Sequence, residues 1–112
     1  MKRKTPGSEY RGLPCSMVAV GCALGGTAQN VPQLKDDGYA TLASMNRYIR
    51  ANMPVKKQIK YKRGERPKLK DLHLDGRAIV CVLGHYLYLD HEDYWSYFKN
   101  SQDDVVSVWV LE

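Results

Sequence analysis

The sequence predicts an α+β domain with N-terminal helices packed on a C-terminal antiparallel sheet, and three observations predict it. Residues 15–24 are hydrophobic nearly all round, as in a helix buried on every side. From Tyr39 to Met53, apolar residues recur at i, i+3 and i+4, the period of an amphipathic helix. After Gly76, short apolar or alternating stretches are separated by turn residues, the pattern of successive strands. Helices first and strands afterwards place the chain in the α+β class.

Residues 1–11 carry turn formers and charge without a period, so a basic, partly ordered arm is expected before a single domain over 12–112. Gly12-Leu13-Pro14 then leads into the first helix. Proline suits a first turn, where its missing N–H has no partner to lose. Cys15 therefore falls in or beside that turn, and Gly25-Gly26 stops the helix. Residues 27–38 read as a loop, with room for a short helical turn.

In the second helix Leu42, Met45, Tyr48, Ile49 and Met53 form the apolar stripe, with Arg47 and Arg50 opposite. Pro54 ends it, because the residue before proline avoids the α region. Val55, Ile59 and Tyr61 alternate weakly, which suggests an exposed or edge strand followed by a basic loop to Lys70. Asp75-Gly76 is a turn signal. Residues 77–84 form a continuously apolar strand covered on both faces, and residues 85–98 a hairpin. Asp103-Asp104 makes a turn before the last strand, 105–112.

The hairpin carries a testable register. With His91-Glu92 as a two-residue turn, Asp90 faces Asp93, Leu87 faces Ser96 and His85 faces Phe98. Strand alternation then sets Tyr94, Ser96, Phe98 and Asn100 on the face of His85.

At 112 residues the chain holds one core. No stretch approaches the ~18 apolar residues of a membrane span, and no apolar segment follows the basic Met1–Lys4 as in a signal peptide. A cytoplasmic location is expected. Three cysteines, none in a Cys-x-x-Cys pair, argue against a disulfide framework or a zinc site, and no cofactor motif is present. Cys22 and Cys81 lie in apolar runs as small hydrophobes.

Charge is uneven: residues 55–70 hold eight basic groups and one acidic, residues 71–112 two and eight. The segment is either a solvated loop or a contact for phosphate or an acidic surface. Lys56, Lys57, Lys60, Lys62, Arg63 and Arg66 are the residues that would make that contact.

Cys15 is the candidate nucleophile. A thiolate forms more readily at a helix N-terminus and beside an imidazolium, and His85, delivered by a strand after Gly84, is the candidate base. His73 and His91 fall in polar turns where solvation is expected. Asn100 or Ser96 would orient the ring.

Four segments carry a family resemblance: LPCSMVAVGCALG (13–25), DGYATLASMNRYIRANM (37–53), GRAIVCVLGHYLYLDHEDYW (76–95) and VVSVWVL (105–111). Over residues 12–111 the chain resembles small bacterial and phage members of the papain-like cysteine peptidase superfamily, including short relatives of bacteriocin-processing peptidase domains. The resemblance implies a papain-like fold and a peptidase or amidase that works through a thioester on Cys15, with a peptide or amide substrate. Two positions depart from the pattern. Glu9-Tyr10-Arg11 stands where a glutamine about six residues before the cysteine would donate to the oxyanion. There the Cys15 N–H, with Tyr10 or Arg11, is the alternative donor. Ser96 stands where many relatives have an aspartate about eleven residues after the histidine. The alternative reading is a papain-like protein that has lost catalysis and binds or inhibits a host nucleoprotein complex through residues 55–70.

Overall fold

Strand residues with two apolar faces need cover on both sides, and that requirement organises the molecule. The computed structural model describes residues 1–26, 31 and 41–112. The elements run β1 (Lys2–Lys4), α1 (Cys15–Leu24), α2 (Leu42–Asn52), β2 (Val55–Lys60), β3 (Arg77–Val82), β4 (His85–Asp90), β5 (Asp93–Trp95) and β6 (Val105–Leu111), with single 3₁₀ turns at Ser8–Tyr10 and Leu69–Asp71. The strands form one mixed sheet in the order β1-β5-β4-β3-β6-β2. The loop expected at 27–38, and the start of the second helical pattern at Tyr39, lie outside the described residues apart from Val31.

The α+β class and the strand sequence stand, with two differences of detail. β6 returns to pair antiparallel with both β3 and β2, so only β3, β4 and β5 form a consecutive meander. The N-terminal residues join the sheet as well: β1 pairs parallel with β5, and Tyr10 is buried with its hydroxyl donating to the Gly26 carbonyl at 3.0 Å. Backbone pairing needs no side-chain period, so the strand in this charged arm left no pattern in the sequence.

One sheet face packs on the helices. Ala19, Val20 and Ala23 of α1 and Met45 and Ile49 of α2 meet Ile79, Tyr86, Tyr88 and Trp109. Gly21 lets α1 approach the arm, because a Cβ there would stand 2.6 Å from the Tyr10 ring and 2.7 Å from the Gly26 carbonyl. In α2 the stripe is as expected except at its first position, where Leu42 is exposed. Thr41 caps this helix, its hydroxyl oxygen accepting from the Ser44 N–H.

The other face carries Ala78, Val80, Val82, Leu87, Leu89 and Val108, and the β2–β3 connection covers it with Leu69 and Leu72. That connection is tied down rather than loose. Leu69 N–H donates to Asp103 O, Lys70 N–H to Ser101 O, and Val105 N–H to Pro67 O. Half of the expected basic loop is therefore a structural strap. No helix among the described residues is long and apolar enough to cross a membrane.

Candidate active site

Two tight turns place the candidate base. Val82 faces His85 across a two-residue turn, which needs a left-handed residue and has Gly84 at φ 76°. His85 is thereby the first residue of β4. At the far end the expected register is observed, with Asp90 facing Asp93, Leu89 facing Tyr94 and Tyr88 facing Trp95. Because β5 stops at Trp95, it leaves the first half of β4 an open edge.

Cys15 occupies that edge. It is the first residue of α1, after Pro14 as the non-helical cap. The backbone N–H groups of Tyr86, Ser16 and Cys15 itself favour the charged form of its thiol. Alternation puts His85 on the Leu87 and Leu89 face of β4, whereas Tyr86 faces α1. The two candidate residues therefore approach the strand edge from opposite faces of the sheet, and both line one cavity of about 50 Å³ with Leu13, Ser96 and Phe98. This volume holds a water or two, so it admits a reacting group rather than a whole substrate.

Beyond Trp95 the chain folds across the His85 ring. His85 Nε2 lies 3.0 Å from Ser96 Oγ, and the Phe98 ring stands edge-on to the imidazole at 5.6 Å between centroids. Ser96 Oγ donates to Asn100 Oδ1 at 2.6 Å, and Asn100 Nδ2 donates to Asp103 Oδ2 at 2.7 Å. The chemistry of each partner fixes the direction of the chain. A carboxylate only accepts, so the Asn100 amide nitrogen must face Asp103 and its oxygen must face Ser96. The Ser96 proton is thus committed to Asn100. Ser96 Oγ, which also accepts from the Phe98 N–H at 3.1 Å, can only accept from the ring. Nε2 carries the hydrogen, and Nδ1 keeps the basic lone pair.

The two orienting candidates, Ser96 and Asn100, are therefore arranged in series: Ser96 touches the ring and Asn100 holds Ser96. Both are buried. Asp103, read from the sequence as a turn residue, closes the chain. Its only trace in the sequence is the run Ser96-x-x-x-Asn100-x-x-Asp103, which reads as an ordinary polar loop.

Electrostatics correct one expectation. Burial pushes the Cys15 thiol above its ordinary range, and the three backbone N–H groups only partly oppose it. The helix N-terminus therefore does not deliver a free thiolate, because desolvation of the charged sulfur outweighs it. Cys22 and Cys81 are half-buried and pushed up by burial to about 11. Burial also lowers His85, with the Asp103 charge pulling the other way. At neutral pH the site holds a neutral thiol and a neutral imidazole.

Tyr10 is excluded as an oxyanion donor, since its hydroxyl is bound to Gly26 and its ring is buried. Glu9 lines neither the cavity nor the groove beside it. His73 and His91 are exposed, as expected. Among the described residues no group of His, Cys, Asp and Glu is placed to hold a metal ion.

The basic residues of β2 are divided between its two faces. Ile59 packs into the core under the strap, while Gln58 and Lys60 border α2 beside Leu42 and Asn46. Alternation thus sends Lys57 and Lys60 to opposite faces of edge strand β2, and the register shifts between Val55 and Lys57 at Lys56. Lys62 and Arg63 are exposed in the following turn, and Arg66 is half-buried.

No protein-family model, curated protein or solved structure matches this chain.

Proposed function

We propose that the protein is a small thiol hydrolase of papain-like type, a peptidase or amidase with Cys15 as nucleophile and His85 as base. One observation carries the reading. A helix-tip thiol and a strand imidazole line the same cavity, and the imidazole is anchored through Nε2 so that its basic nitrogen is Nδ1.

Because both groups start neutral, His85 acts as a general base rather than as half of a preformed ion pair. Nδ1 takes the thiol proton as Sγ bonds to the substrate carbonyl carbon. The imidazolium returns that proton to the departing amine as the C–N bond breaks, leaving a thioester on Cys15. Water then adds to the thioester, losing a proton to His85, and the thiol leaves with that proton as the carboxylic acid is released. Ser96, Asn100 and Asp103 keep the ring in one tautomer and stabilise its charged form. The Cys15 N–H, at the open first turn of α1, is the oxyanion donor in this reading.

Acyl trapping tests it. With p-nitrophenyl acetate and an acid quench, mass spectrometry is expected to find an acetyl group on Cys15. The adduct is expected to be absent in Cys15→Ala and much reduced in His85→Ala. A wild-type protein that releases no nitrophenol and carries no acetyl group would overturn the reading.

A further inference from the structure

Beside the cavity at Cys15 lies a larger groove of about 520 Å³, and the two share Leu13, Tyr97 and Phe98 as walls. Phe98 is 65 % exposed and, with Leu13, gives the boundary between cavity and groove an apolar surface. Arg11 lines the groove but not the cavity, and its guanidinium lies over the Tyr97 ring, 5.6 Å from its centroid. The Tyr97 hydroxyl donates to the Gly7 carbonyl, so the platform under Arg11 is fixed to the N-terminal arm.

Arg11 is exposed, and among the described residues no carboxylate is paired with it. Arg3 adds positive charge nearby, its guanidinium donating to the Ser96 carbonyl at 3.3 Å. A guanidinium resting over an aromatic ring still has N–H donors to offer a planar carboxylate. From Cys15 outward the groove therefore presents a reacting thiol, an apolar pair and then an unpaired cation.

We infer that the substrate is an acidic peptide whose reacting carbonyl is followed along the groove by an apolar residue on Leu13 and Phe98 and then by a carboxylate on Arg11. The inference rests on Cys15 being the nucleophile. It predicts selection for negative charge at one distance from the reacting carbon, not a general preference for anions.

Matched alkylating peptides test it on the full chain, in both chain directions. One pair is chloroacetyl-Leu-Glu-amide and chloroacetyl-Leu-Gln-amide; the other is acetyl-Glu-Leu and acetyl-Gln-Leu chloromethyl ketone. In each probe the Cys15 sulfur displaces chloride to form a thioether. In at least one pair the glutamate probe is expected to label Cys15 about tenfold faster than its glutamine twin at low salt. Arg11→Gln should bring that ratio close to one, and Arg11→Lys should keep part of it. Equal rates within both pairs, or a preference that survives Arg11→Gln, would overturn the inference. Iodoacetamide, which reaches the thiol without using the groove, separates this failure from failure of the nucleophile. Fast, His85-dependent iodoacetamide labelling without glutamate preference rejects the substrate class alone. Slow labelling by iodoacetamide rejects the hydrolase reading itself.

Discussion

His85 Nε2 and Ser96 Oγ stand 3.0 Å apart, and the hydrogen between them belongs to the ring, because the serine proton is committed to Asn100 at 2.6 Å. The Nε2–H tautomer is the expected neutral form, readable from the ring nitrogen shifts in long-range ¹H–¹⁵N spectra. Ser96→Ala removes this acceptor and leaves Asn100 Oδ1 and the Phe98 N–H without their partner. It is expected to cost about 1–3 kcal/mol in urea unfolding and to mix the tautomers. A variant that keeps wild-type stability and a single Nε2–H tautomer would show that the ring is held by something else.

The lowered His85 pKa has a stability consequence of definite sign. In the pH range between its folded value and the ordinary 6.5, the unfolded chain binds the proton and the folded chain does not. Stability contributed by the neutral ring is therefore present above that range and is lost as pH falls through the folded value. Urea midpoints should drop between about pH 7 and pH 5 more steeply for the wild type than for His85→Gln. Parallel curves would contradict a desolvated His85.

Gly21 marks where the N-terminal arm becomes part of the fold. A methyl group there meets the Tyr10 ring and the Gly26 carbonyl at under 3 Å, so Gly21→Ala is expected to destabilise by about 1–3 kcal/mol, despite alanine's better helix propensity. An unchanged midpoint would mean that Tyr10 is free to move aside.

Burial separates two polar contacts of similar appearance. Trp109 is fully buried and its Nε1–H donates to Asn46 Oδ1 at 2.9 Å; Asn46→Ala orphans that donor and should cost about 1–3 kcal/mol. The Lys68–Asp104 ion pair is short, at 2.6 Å, but Lys68 is 47 % exposed. Lys68→Ala should cost at most about 1 kcal/mol. Chemical denaturation of the two variants compares them directly, and equal losses would contradict the ordering.

The parts of the fold legible in the sequence were those written in side-chain periodicity. The all-apolar run of α1, the Met45 and Ile49 stripe of α2 and the Asp90–Asp93 register of the hairpin all follow from spacing alone. Backbone pairing leaves no such pattern, which is why the strand at Lys2–Lys4 and the strap at 67–70 did not show. The site was legible as far as Cys15 and His85, each introduced by its own turn residue. Asp103 was not, because its role depends on the loop after Trp95 folding back over the ring. The direction of the Cys15 shift was also illegible, since local sequence gives the helix N-terminus but not the depth of burial.

The central claim, that Cys15 is a nucleophile served by His85, is tested most directly by site-resolved iodoacetamide labelling. Peptide mapping over time gives a separate rate for each of the three thiols. Cys15 is expected to react fastest at neutral pH, because it lines the cavity of His85 while burial pushes Cys22 and Cys81 up to about 11. Its rate should climb further on the alkaline side, and His85→Ala should slow it by at least about tenfold without changing the other two. Three equal, slow rates, or a Cys15 rate indifferent to His85, would contradict the account.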